Sequence, residues 1–286
     1  MDVAKQLKEI IIRDYKTGNL KLPAIPDVLF RVREMLMDES QSIENISQVV
    51  QIEHALSTRL LQIVNSPLYR SRKPITSCSE AIARLGLAAT QNLATSLALK
   101  NSYLGNNVDT QRWMRKAWEE SCRVAAISQA LGSVTVGLSA DRAMLAGMIH
   151  NIGILPLIHY LDRFPEFLAD TPRVEKLLGG LQGKMGTLLL RYWKFDEELA
   201  VIPAHMDDWM YDSGNRRPQY LDIVLVARAH SMIQEHSSEF RPEMLTQMPA
   251  FLKLPFSKLG PAGSFELLER SREQVEYLYR LLYGEE

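Results

Sequence analysis

Residues 144 to 155 read MLAGMIHNIGIL, an apolar helical run that delivers His150 and Asn151 side by side and then Gly153. A histidine beside an aspartate in such a run would suggest a metal centre. An asparagine supplies only a neutral carbonyl oxygen, which offsets none of an ion's charge and cannot act as a general base. The other histidines are His54, His159, His205, His230 and His236, and no two of the six stand in the HxxxH spacing that gives one helix face two ligands. Taken singly, each reads as a surface or core histidine before it reads as a ligand.

The remaining chemistry-bearing residues are sparse. Cys122 falls on an apolar helical face and reads as a small hydrophobe, while Cys78 stands in a polar stretch with no histidine near it in sequence. The chain contains no G-x-S-x-G elbow, P-loop or GxGxxG. LLGGLQGKMG, residues 177 to 186, is rich in glycine, but no strand pattern precedes it, so close helix packing is expected there instead of a phosphate cradle. NSPLYRSRKPITS, residues 65 to 77, places Arg70, Arg72 and Lys73 beside Tyr69 in a compact basic turn. That turn is a candidate site for phosphate or an acidic partner, and its ordinary alternative is a solvated loop.

Helices must position these residues. Apolar periodicity is helical nearly throughout and strand-like alternation is scarce, so the chain is expected to be all-α. Pro26 is placed to open a helix, Ser42 to cap the next, and Leu56, Leu60, Ile63 and Val64 share one face of a third, which Pro67 stops. Ser77 with Glu80 has capping-box spacing, and Gly86 suits a break. GNNVD, residues 105 to 109, is the best internal boundary, with Asp109 as the expected cap of a long helix ending at Gly132. GPAGS, residues 260 to 264, reads as a link before an amphipathic C-terminal helix.

At 286 residues and 46% hydrophobic side chains the chain can bury a full core. A formal charge of -1 excludes a global basic field for nucleic acid or anionic lipid. Two cysteines without CxxC spacing suit a reducing compartment. The amphipathic N-terminus does not read as a signal peptide, and no apolar run is expected to reach membrane-span length. A cytoplasmic protein is therefore expected.

LPAIPDVLFRVREML, IEHALSTRLLQIVNSPLYR and ITSCSEAIARLG closely resemble the HDOD family, the HD-related output domain of bacterial signalling proteins. The Asn-Ser pair of NSPLYR and the AIARLG run are its specific marks, and with the second half the resemblance covers most of residues 20 to 230. IEH, residues 52 to 54, departs from the Asp-Pro pair common in the family. The resemblance implies an all-α fold in which an N-terminal helical part, residues 1 to 108, packs on a degenerate HD-phosphohydrolase-like bundle, residues 109 to 286, as one continuous unit. It also implies a regulatory role without established catalysis.

The metal-ligand motifs of the wider HD superfamily can be laid over the second half. Glu120, in WEESCRVA, stands where a histidine would precede the serine, and the His-Asp doublet corresponds to His150 and Asn151. Gln182 stands where another histidine would lie, His205 matches a retained one, and Arg228 falls at the final acidic ligand. The implied vestigial site is therefore Glu120, His150, Asn151, Gln182, His205 and Arg228, with no catalytic residue, no metal and no cofactor expected. Glu120 and Arg228 are expected to face each other there as a protein ion pair in place of the metal.

The expected function is a non-catalytic signalling module that binds a protein partner or a small ligand, a nucleotide among the candidates, in a cleft between the two halves. One alternative is a residual metal-dependent phosphohydrolase acting on a nucleotide or cyclic dinucleotide. The other is nucleic-acid or nucleotide binding through the basic turn at Arg70, Arg72 and Lys73. Membrane association is not expected, and the sequence does not set the oligomeric state.

Overall fold

The computed structural model describes residues 3–27, 30–31, 43–52, 54–66, 69, 73–235, 240–254 and 266–284. Every regular element among the described residues is a helix. The first group comprises α1 (Val3–Lys16), α2 (Ile43–Ile52), α3 (His54–Val64), α4 (Cys78–Leu85) and α5 (Leu87–Ala98). The stripe expected on α3 is buried at all four positions, Leu56, Leu60, Ile63 and Val64. Ser77 caps α4 by accepting the Glu80 N–H at 3.2 Å. Glu80 reaches back to the Thr76 N–H at 3.0 Å, one residue earlier than a strict capping box requires. Gly86 breaks α4 from α5 at φ +80°, backbone that an L side chain adopts only under strain. The Phe30 N–H donates to the Pro26 carbonyl at 2.9 Å, and Asp27, Phe30 and Arg31 are helical. Ser42, Pro67 and the GPAGS link lie outside the described residues.

The second group begins with α6 (Val108–Val134), the longest helix. Its cap is Asn107, not Asp109: Asn107 Oδ1 accepts the Thr110 N–H while Thr110 Oγ1 accepts the Asn107 N–H, both at 3.0 Å. Asp109, in the first turn, is left to interact with the helix dipole and with Arg112 at 3.8 Å. After α6 come α7 (Ala140–Ile149), α8 (Ile154–Leu161), α9 (Pro165–Ala169), α10 (Thr171–Tyr192) and α11 (Glu197–Ala200). A 3₁₀ turn at Ile202–His205 leads to α12 (Tyr220–Gln234), α13 (Pro242–Leu245), α14 (Pro249–Leu252), α15 (Glu266–Arg270) and α16 (Arg272–Tyr283).

An apolar core runs from Leu7 and Leu60 through Leu131 and Ile149 to Val224 and Leu282. Its centre is the stretch from Ala140 to Leu161, whose mean hydropathy of 1.4 over a window 94% buried corrects the expectation that no apolar run reaches membrane-span length. The run is apolar because α6, α10 and α12 surround it. Polar ties join the first group to the second: Tyr160 donates to Asp14 at 3.1 Å and accepts the Lys21 N–H at 3.0 Å.

The glycine-rich run is helix interior, as its packing reading expected. A Cβ on Gly183 or Gly186 would meet Pro203 at 2.6 Å. The tightest approach is at Gly153, where a Cβ would stand 1.9 Å from the Gln182 carbonyl oxygen. Because that obstacle is backbone, no side-chain rotation relieves it. Gly153→Ala should therefore lower the unfolding free energy by about 3 kcal/mol. Gly179→Ala, with nothing within 4 Å of the added carbon, should instead be neutral or stabilising by up to about 1 kcal/mol. Urea unfolding of the two variants measures this, and equal effects would contradict the packing.

Candidate functional site

The Gly153 contact sets the turn between α7 and α8 against α10 and directs residues 150 and 151 at α6. His150 is 2% exposed. Its Nδ1 lies 2.7 Å from the Gly147 carbonyl, so that nitrogen carries the proton, and its Nε2 lies 3.5 Å from Glu120 Oε1. Asn151, 4% exposed, uses both ends of its amide. Nδ2 donates to the Ala117 carbonyl at 2.9 Å, while Oδ1 accepts from Ser121 Oγ at 2.7 Å and from the Tyr103 hydroxyl at 3.2 Å. The Asn151 backbone carbonyl accepts from Gln182 Nε2 at 2.9 Å.

Arg228 enters from α12. Its Nε is 3.7 Å from Glu120 Oε1, which is the facing arrangement expected of the two residues. Its guanidinium also donates to the Met206 carbonyl and to Asp207 at 3.2 Å, and lies over the Trp209 ring at 5.1 Å. Burial pushes the Glu120 carboxyl toward higher pKa. The hydrogen bond and charge of His150, the charge of Arg228 and the Asn151 amide outweigh it, and the group is held down to about 2.

Together these residues form the floor of a cleft of about 470 Å³ whose lining also includes Trp113, Lys116, Ile154, Glu175, Leu178, Gly179, Met206, Asp207 and Glu235. Of the six residues expected at the site, Glu120, His150, Asn151, Gln182 and Arg228 line it. His205 does not: its ring packs on Tyr211 with centroids 3.9 Å apart, and burial lowers its pKa against the opposing charge of Asp208. Arg70 and Arg72 of the basic turn lie outside the described residues, and Lys73 is exposed. Tyr103 and Ser121 escaped sequence reasoning. Ser121 adjoins Glu120, but Tyr103 is 48 residues from the asparagine it bonds, and no local spacing marks it. Asp207, two residues past His205, was within reach as an acidic residue in the same short motif.

The donor set does not fit a hard divalent cation. Asn151 spends its amide on Ala117, Ser121 and Tyr103, Gln182 is turned onto the backbone, and a guanidinium stands beside the remaining carboxylate. Among the described residues no group of three His, Cys, Asp or Glu converges as ligands.

Two measurements probe the floor. A folded carboxyl held near 2 against an ordinary 4.5 contributes stability that is fully present above about pH 4.5 and is lost as pH falls toward 2. Glu120→Gln should therefore be less stable than wild type at pH 7, with the difference shrinking between pH 4.5 and 2. A constant difference across thermal melts would contradict this. Asn151→Asp would turn a carboxylate oxygen onto the Ala117 carbonyl and should cost about 2 to 3 kcal/mol at neutral pH. Its folded pKa would be raised, so the charge penalty should shrink as pH falls from that raised value and be gone below about 4; a variant as stable as wild type at pH 7 would contradict the amide assignment.

The HDOD domain profile matches residues 22–208. A relative from Treponema pallidum (strain Nichols), an uncharacterized protein, is 24% identical over 266 residues, which cover 87% of this chain and 45% of that one. The chain thus spans less than half the length of that relative. Among solved structures, a candidate metal-dependent phosphohydrolase from Shewanella amazonensis SB2B superposes with a TM-score of 0.80 at 24% identity, covering 98% of this chain and all of the other. A candidate signal transduction protein from Marinobacter aquaeolei VT8 superposes with a TM-score of 0.61 at 18% identity, covering 98% of this chain and 65% of its own. At these identities the two structures speak to the fold, which is the helical one the sequence implied. With the profile spanning well over half of its length, the chain belongs to the HDOD domain family.

Proposed function

We propose that this chain is a cytoplasmic regulatory module of bacterial signal transduction that acts without catalysis, through binding of a protein or small molecule at the cleft floored by Glu120, His150 and Arg228. The observation that carries the proposal is the floor itself. A protein cation, Arg228, approaches the Glu120 carboxylate at 3.7 Å, where a phosphohydrolase would need an ion and an activated water. His150 and Asn151 hold their neighbours through hydrogen bonds, a role that requires neither residue to turn over a substrate. The cleft is large enough for a small ligand or an inserted side chain. Both cysteines are free and buried, in keeping with a reducing compartment.

Gly179 gives a direct test, because its missing side chain would project into open space at the cleft. Gly179→Trp should fold cooperatively, fill the cleft and reproduce the transcriptional response of a gene deletion. Wild-type protein should show no hydrolysis of phosphate mono- or diesters above background with manganese, iron or magnesium supplied. Full restoration of the wild-type response by Gly179→Trp, or turnover that His150→Ala abolishes, would overturn the proposal.

A further inference from the structure

Helix α6 supplies Trp113, Lys116 and Glu120 to the cleft, and it is also the helix on which the C-terminal α16 packs. The hold on α16 is partial. Leu278 and Leu282 are buried, while Tyr277 is exposed. A cavity of about 230 Å³ lies against α16, reached by Ile127 of α6, His230 of α12, Leu268 of α15 and Val275 of α16 itself. Side chains that border a void lose the contacts that would otherwise fasten them.

Charge holds the last turn of α16. Lys100 Nζ donates to the Tyr283 carbonyl at 3.1 Å. Gly284, at φ +94°, leaves room for the heads of Arg59 and Lys100, which a Cβ there would strike. Two cations thus sit at the negative end of the helix dipole. An element fastened by two leucines and its terminal carbonyls belongs to the part of a fold that opens well below global unfolding.

Arg123 joins this helix to the cleft. One terminal nitrogen pairs with Glu119, a turn earlier on α6, and the other with Glu235 at the end of α12, both at 2.9 Å. Its guanidinium lies over the Tyr279 ring of α16, 5.4 Å from the centroid. Glu235 lines the cleft. A guanidinium is one rigid plane, so the fork that meets the carboxylates cannot turn without turning the face that meets the ring.

We infer that α16 is a releasable strap whose docking is governed by Glu235, with Arg123 as the joint. A group that enters the cleft and draws Glu235 from Arg123 turns the guanidinium off Tyr279 and loosens α16. The inference rests on the cleft's being the binding surface proposed above, and it adds the route by which occupancy leaves that site. By linkage, whatever lifts α16 also frees Arg123 and alters the cleft in return.

The test is hydrogen exchange on the full chain at pH 7, comparing protection of the α16 amides with that of the core helix α7. Glu235→Gln keeps the side chain's shape and removes its charge. It should lower α16 protection about twofold to fivefold and leave α7 unchanged. Tyr279→Leu should do the same, and the double variant should lose no more than the larger single, because both act through Arg123. Glu175→Gln alters another cleft carboxylate, one paired with Lys116 and not with Arg123, and should leave α16 protection at the wild-type level. Unchanged α16 protection in Glu235→Gln, an equal loss in Glu175→Gln, losses that multiply in the double variant, or a parallel loss in α7 would each overturn the inference. If Tyr279→Leu folds poorly, the two glutamate variants decide alone. Hydrogen exchange reads the strap, and the Gly179→Trp response reads the cleft, so either can fail while the other stands.

Discussion

The close approach of the Gly153 backbone to the Gln182 carbonyl is the constraint on which the cleft depends. It lets the turn between α7 and α8 lie directly on α10, leaving no room for even a methyl group. With the turn fixed there, His150 and Asn151 face α6, and Gln182 completes the contact by donating to the Asn151 carbonyl. Gly147 does the equivalent on the other side, where its missing Cβ admits the Ala125 backbone. Small residues thus bring three helices close enough for polar side chains to bond across them. Apolar burial supplies the driving force, and the glycines decide the geometry.

That geometry explains the asparagine. An amide can donate from one end and accept at the other, and position 151 requires both, because a helix carbonyl lies on one side and two hydroxyls on the other. A carboxylate offers acceptors only. The neutral amide also leaves Glu120 as the nearby ionised acid, balanced by His150 and Arg228. Such a cluster keeps Glu120 ionised because the attraction outweighs the cost of desolvation. It also specifies which groups face the cleft, and a binding surface depends on that.

Much of this was legible in the sequence where the signal was local. Helical periodicity placed the α3 stripe, and Ser77, Gly86 and the packing role of the glycine-rich run followed from side-chain chemistry at fixed offsets. The convergence of Glu120, Gln182 and Arg228 on His150 and Asn151 was not local. It came from resemblance to a family whose motifs sit on separate helices. His205 shows the limit of that route, because a matched position does not fix where a ring points, and here Tyr211 holds it away from the cleft. Asn107 displaced Asp109 as the cap because both are good cap residues and the outcome turned on which could exchange bonds with Thr110. Tyr103 had no sequence signal at all, since its partner lies far along the chain.

The central claim of the proposal is that protein groups, with Arg228 as the cation beside Glu120, take at this floor the place that an ion takes in a phosphohydrolase. Metal binding by the purified full chain tests it most directly, by calorimetric titration with manganese, iron and zinc paired with elemental analysis. The account predicts no stoichiometric ion in the protein as isolated and no saturable binding at the floor. One ion per chain, bound by wild type and lost in His150→Ala, would contradict it.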